Sequence, residues 1–293
     1  MRIGIHLPQF GKSPADIAQV AKHAEESGYD SIWVSDHILM PAQTGAVRAT
    51  DLLEPLPTLG YVAAITKKIK IGTSVIVVPY RNAVHLAKEL ATVDILCGGR
   101  LIAGLGTGWL EEEFRALNAP YERRGAYTDE AIRLMRAAWA NQKLEFKGEF
   151  YTIGGLHFSP QPTNGNIPIW VGGLSRRAVR RAVELGDGWH GSRLPPNEFE
   201  ERVRWIREIA ARTGRSLDSF EITHRAYIGF AAKWTETGGY VRGHLGPSEQ
   251  LVDYLNQFAP LGAKELLIAP LNVEGAMEEF LDRFDREVRP RLK

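Results

Sequence analysis

Lys70-Ile71-Gly72-Thr73-Ser74-Val75-Ile76-Val77-Val78-Pro79-Tyr80-Arg81-Asn82 is the stretch on which the reading of this chain turns. From Ile69 to Val78 it is dense in β-branched residues and broken chiefly by Gly72-Thr73-Ser74. Such a run predicts a strand buried on both faces, as in a parallel sheet. Pro79 cannot donate to a ladder, and with Tyr80-Arg81-Asn82 it turns the chain into an amphipathic helix reaching about Leu96. Three small residues weaken a strand. They fit either a tight barrel interior or a bulge where something flat approaches the backbone.

Working outward, strands are predicted at 3–7, 31–35, 100–105, 167–171, 187–190, 220–230 and 264–269. Helices or helix-bearing crossovers separate them. Ser13-Pro14 opens the first helix, which runs through Glu26; a second spans Pro57 to Thr66; Ile132, Met135 and Trp139 mark a 3.6-residue period between Tyr121 and Ala140. Eight strands alternating with helices predict an α/β fold, a (β/α)8 TIM barrel, as one domain over 1–293. Between about 144 and 162, strand-like pieces broken by Gly148, Gly154-Gly155 and Pro160 predict an insertion carrying a hairpin. The stretch from about Leu39 to Leu53 has no period and is too long for a plain connector, which fits a lid or pocket wall. A doubly wound sheet is excluded, because Gly104-Leu105-Gly106-Thr107-Gly108 lacks dinucleotide-binding spacing and has no acid about 20 residues on to hold a ribose.

The 36 basic and 35 acidic residues leave a net charge of +1, which gives no electrostatic case for nucleic acid. A single cysteine, Cys97, excludes an intramolecular disulfide and fits a reducing compartment. The chain opens directly into a core strand, and no apolar run is long enough for a membrane span, so a cytoplasmic location is expected.

A TIM barrel carries its site at the C-terminal ends of its strands. Those ends supply His6 and Gln9, Asp36 and His37, Ser74 and Val75, Gly106 to Trp109, Gly172-Gly173, Trp189-His190 and His224. They are rich in hydrogen-bonding and aromatic groups but carry no H-x-H or H-E-x-x-H pair, so no metal is expected. Asp36-His37 fits an ordinary turn as well as a chemical role. Gly172-Gly173-Leu174-Ser175-Arg176-Arg177 fits a simple turn into a helix, or an anion site made by backbone N–H groups. His6 fits either a satisfied core position or a substrate-facing one.

The segment from Gly72 to Trp109 resembles the third-to-fourth strand region of the luciferase-like family of flavin and deazaflavin oxidoreductases. Ser31-Ile32-Trp33-Val34-Ser35-Asp36-His37 is similar to that family's second-strand end. Val171-Gly172-Gly173 with Ser175, followed by Gly186-Asp187-Gly188-Trp189, is similar to its phosphate-binding segment. The resemblance implies a cis peptide at Ser74-Val75 backing the cofactor ring. It also implies Asp36 beside the ring, His37 as proton donor or substrate-orienting group, and Gly106 and Thr107 lining the cofactor. Gly172, Gly173, Ser175 and Arg177 would hold its phosphate. His6, Trp109 and His190 would face substrate. Trp109 stands where the sugar-phosphate dehydrogenase branch has a Glu, and that branch's Trp after the Asp-His pair is missing here. These departures point away from glucose 6-phosphate and toward a more apolar, aromatic pocket. The implied function is hydride transfer between coenzyme F420 and a small organic substrate, in a homodimer. The alternative is an FMN-dependent monooxygenase; a non-catalytic flavin-binding protein and a phosphate-binding isomerase are more distant rivals.

Overall fold

The structure, a computed structural model, describes residues 1–7, 9, 13–40, 52–238, 242–271 and 277–293. Eight parallel strands close on themselves: β1 (Arg2–His6), β2 (Ser31–Val34), β3 (Lys70–Thr73, resuming at Ile76–Val77), β4 (Leu101–Gly106), β5 (Ile169–Gly172), β6 (Gly188–Ser192), β7 (Glu221–Phe230) and β8 (Glu265–Pro270). Each pairs with the next, and β8 pairs with β1 in the register Arg2↔Glu265. The result is a (β/α)8 TIM barrel, as the alternation of elements predicts.

The strand is interrupted, though later than the small residues suggest: Gly72 and Thr73 stay in the ladder. β3 pairs with β4 at Ile71↔Leu101, breaks at Ser74 and Val75, and resumes at Ile76↔Leu105. The Ser74–Val75 peptide is cis. Inside the barrel, Trp33 stacks on Trp170 at 5.1 Å between ring centroids and on the His190 ring at 5.3 Å. Ile102 and Leu267 complete this inner cluster. A larger apolar core fills the space between the strands and the outer helices.

Local chemistry sets the helix starts. Ser13 and Asp16 form a capping box, with Pro14 opening α1 (Pro14–Glu26). α2 (Pro55–Ile65) starts two residues before the predicted Pro57, because the Glu54 side chain accepts from Leu56 N and caps the helix there. α3 (Ala83–Leu96) is capped by Asn82. α4 (Glu111–Ala116) and α5 (Arg124–Ala140) follow β4. The predicted insertion contains an antiparallel hairpin, Lys143–Lys147 with Thr152–His157. Its turn is anchored by the buried Glu130 of α5, which accepts from the backbone N–H groups of Glu149, Phe150 and Tyr151. α6 (Arg176–Leu185) is capped by Ser175, and α7 (Pro196–Thr213) leads to β7. Two short strands unforeseen in the sequence, Thr235–Thr237 and Gly243–Gly246, extend the sheet beside β7. Most of the loop predicted between Leu39 and Leu53 lies outside the described residues.

Candidate active site

A cavity of about 280 Å³ opens at the C-terminal end of the barrel. It brings together Asp36 and His37, Ser74 and Val75, Gly106, Thr107 and Trp109, Gly172 and Gly173, and His190. Ser35, Arg193 and Arg225 also line it, and the sequence reading singled out none of them. Of the residues expected to hold cofactor or face substrate, three sit outside the wall. His6 lies one residue back, hydrogen-bonded to Ser35 Oγ at 2.7 Å. Ser175 caps α6 by accepting from Ala178 N at 3.2 Å. Arg177 is exposed on the first turn of the same helix.

The floor is a buried polar layer. The guanidinium of Arg225 donates to the Ser74 carbonyl at 2.7 Å, to Ser74 Oγ at 3.1 Å and to Ser35 Oγ at 2.9 Å. Ser74 Oγ lies 2.8 Å from His190 Nε2, and His190 Nδ1 lies 2.7 Å from Thr223 Oγ1. Thr223 spends its hydroxyl hydrogen on the Trp189 carbonyl at 3.3 Å. His190 is thus held through both ring nitrogens, between Ser74 and Thr223. Burial first, and the Arg225 charge second, push the His190 pKa down to about 3, so the ring is neutral.

The walls are built for close approach. A Cβ on Gly104 would fall 1.7 Å from the Thr73 carbonyl oxygen. Cβ atoms on Gly106 and Gly172 would meet the Val75 side chain at 2.6 and 2.9 Å. Val75 thus rests on glycine backbone from two neighbouring strands at the wall of the cavity. Gly173 holds φ +125 just before α6, a conformation side chains rarely adopt. Glycine backbone at a helix start exposes N–H groups to an anion, so the residues present fit a flat, phosphate-bearing cofactor.

Two carboxylates flank the mouth. Asp36 is buried, accepting from Val77 N at 2.8 Å and from Arg81 through both oxygens at 2.6 and 3.0 Å. Arg81 also pairs with Glu54. Glu113, in the first turn of α4, lies 3.0 Å from His37 Nδ1 and accepts from Tyr80 OH at 2.9 Å. Trp109 stands edge-on to the His37 ring at 6.2 Å between centroids and is half exposed. Glu113, Arg81 and Arg225 escaped the sequence reading because their partners are distant in sequence. The one local signal, an acid at a helix start, is shared by Glu111 and Glu112. Among the described residues, no group of three or more His, Cys, Asp or Glu side chains is arranged to hold a metal ion, and no helix is long and apolar enough to cross a membrane.

A glycine-walled cleft with a histidine at its mouth, at the C-terminal end of a TIM barrel, lies where such barrels carry their sites. The family description "luciferase-like monooxygenase" matches residues 1–237, and the chain belongs to that family. It is an oxidoreductase, which sets the isomerase and non-catalytic flavin-binding alternatives aside. It is 31% identical over 219 residues to an F420-dependent glucose-6-phosphate dehydrogenase of Amycolatopsis mediterranei, covering 72% of this chain and 64% of that one. Among solved structures, an F420-dependent secondary alcohol dehydrogenase in complex with an F420-acetone adduct superimposes with TM-score 0.86 at 18% identity, over 100% of this chain and 99% of the other. A monooxygenase from Streptomyces bottropensis superimposes with TM-score 0.78 at 17% identity, over 99% of both chains. At those identities the structural likenesses establish the fold.

Proposed function

We propose that this enzyme transfers a hydride between coenzyme F420 and a small organic substrate. The observation that carries the reading is the glycine-walled cavity over Ser74-Val75 with His37 at its mouth, in a chain related to an F420-dependent dehydrogenase. Gly106, Thr107, Gly172 and Gly173 would hold the cofactor, with Ser175 and Arg177 beside its phosphate and Asp36 near the ring. When bound, the deazaflavin supplies the two-electron chemistry. The protein's part is placement and proton handling. Val75, propped on Gly106 and Gly172, supports one face of the ring. The neutral His190 and its hydrogen-bonded neighbours keep the floor rigid. His37 moves a proton to or from the substrate, or orients it. Trp109, with half-exposed Ile38 and Leu39, gives the mouth an apolar, aromatic rim. That rim, and Trp109 in the position of a Glu, favour a substrate less polar than a sugar phosphate.

An FMN-dependent monooxygenase is the second reading, favoured by the fold shared with the Streptomyces bottropensis monooxygenase. We infer also a cytoplasmic homodimer of single-barrel subunits. Cys97 as the only cysteine supports the compartment, and Ile95 and Leu96, exposed at the end of α3, support pairing through the early helices. Titration of apo-protein with F420 and FMN separately, followed by absorbance and fluorescence, tests the cofactor assignment. Saturable F420 binding with weak or no FMN binding is expected; FMN binding alone would overturn it.

A further inference from the structure

We propose that Glu113 is a positioning residue that fixes the tautomer and orientation of the His37 imidazole at the mouth of the cavity. Of the three acids opening α4, Glu111 and Glu112 point to solvent, as the positive end of a helix dipole suffices to explain. Glu113 does not: its side chain is only 1% exposed. A buried carboxylate is costly unless its oxygens are well supplied with donors.

Each oxygen has two. Oε1 accepts from the backbone N–H groups of Ile38 at 2.7 Å and Leu39 at 2.9 Å. Oε2 takes His37 Nδ1 at 3.0 Å and the Tyr80 hydroxyl at 2.9 Å. Burial pushes the Glu113 carboxyl up, but hydrogen bonds led by those from His37 and Leu39 outweigh it and leave the group below its ordinary value. The ionised carboxylate can only accept. His37 Nδ1 must therefore carry a hydrogen, and in the neutral ring the lone pair falls on Nε2. Two jobs are divided between two atoms. Oε1 clamps the backbone leaving β2, while Oε2 sets the ring. A clamp alone would need no contact with His37. Among the described residues, Glu113 and Trp109 face that ring, Tyr80 shares the Glu113 oxygen that meets it, and the neighbouring Asp36 is committed to Arg81 and Val77 N.

This assignment rests on the proposed use of His37 in proton transfer, but its test does not require cofactor. In apo-protein labelled with 15N-histidine and held in alkaline buffer, where imidazoles are neutral, ring nitrogen shifts report the tautomer. His37→Asn identifies the signals. Wild type is expected to show His37 protonated at Nδ1. In Glu113→Gln the amide can keep the backbone clamp through its oxygen, while its NH2 donates to Nδ1 and moves the ring hydrogen to Nε2. Turnover should fall ~10-fold or more, with cofactor affinity within about twofold of wild type. A wild-type ring protonated at Nε2, or the same tautomer in both proteins, overturns the assignment. Should Glu113→Gln fail to fold, Glu113→Asp replaces it: the shorter carboxylate should release the ring into mixed tautomers, and a wild-type spectrum overturns the assignment. Protein that binds neither F420 nor FMN would overturn the hydride-transfer reading while leaving the tautomer result standing.

Discussion

Arg225 and Ser74 lie 151 positions apart in the chain, yet a single guanidinium nitrogen donates to both the carbonyl and the hydroxyl oxygen of that serine. This contact ties β7 to the break in β3. Arg225→Met keeps much of the side-chain length but takes the charged donor from both Ser74 oxygens, leaving the carbonyl its 3.4 Å contact with Ser35 Oγ and the hydroxyl its bond to His190. Hydrogen bonds to a charged group are worth about 1.5–3 kcal/mol each, so a loss of about 2–4 kcal/mol is expected. Urea unfolding of wild type and variant checks it, and a difference under about 1 kcal/mol would make the contact incidental.

Asp36 has both oxygens engaged by Arg81 and Val77 N. Asp36→Asn removes one partner of a buried pair and leaves Arg81 with Glu54 as its remaining counter-charge, so the loss should fall short of the about 3–5 kcal/mol of a fully stranded charge. The thermal midpoint should drop even without cofactor. A variant as stable as wild type but poor in cofactor binding would move Asp36 from scaffold to ligand.

Gly173→Ala places a Cβ 2.7 Å from that of Ala178 and asks a side chain to hold φ +125. The turn into α6 must shift, withdrawing N–H groups from the proposed phosphate site. Cofactor affinity should weaken roughly tenfold or more, a change of at least about 1.4 kcal/mol, in protein that still melts cooperatively. Calorimetric titration reads it directly, and unchanged affinity would relocate the phosphate.

His37→Ala should leave cofactor affinity near wild type while turnover falls about 10²–10⁴-fold, the usual worth of general acid–base help. Steady-state kinetics with the identified substrate checks the split. Wild-type turnover would reduce the residue to scaffolding.

Acid should destabilise the protein earlier than its carboxylates alone would. His190 and His224 are both pushed down to about 3, by burial first and then by the Arg225 charge. Above the ordinary histidine value of about 6.5 they are neutral folded or unfolded, and their contribution is complete. As pH falls from there toward 3, the unfolded chain binds protons that the folded one refuses, and stability is lost across that window. Two such protons amount to at most about 2.7 kcal/mol per pH unit. Urea midpoints between about pH 7 and about pH 4 should show the slope, and it should shrink in His190→Asn.

What the sequence discloses here depends on how far apart the interacting residues lie. The β-branched run ending at Val78 and the capping pair Ser13 and Asp16 speak through near neighbours, so barrel strands and helix starts were legible. The oddity of Gly72 was legible too, though its reason was not: a Cβ there would strike the Trp33 ring at 2.6 Å. His224 looked like a strand-end group but lies inside β7, stacked on Phe258 at 4.6 Å. Glu113 and Arg225 were hidden because no local pattern separates an acid that turns inward from one that faces solvent, or a strand arginine that crosses a barrel from one that borders it. Their partners are 76 and 151 residues away.

The polar floor has a kinetic corollary. It joins Ser35 to Arg225, 190 positions apart, and Ser74 to His190, 116 apart. Contacts of that span form only after long loops have closed, and chains dominated by them fold slowly. No fragment ending before β7 can rehearse the floor, because its arginine has not yet been added. Competence to bind should therefore return late in refolding, in step with the burial of Trp33 against His190, and a nascent chain should acquire its cleft only once the barrel's penultimate strand has docked.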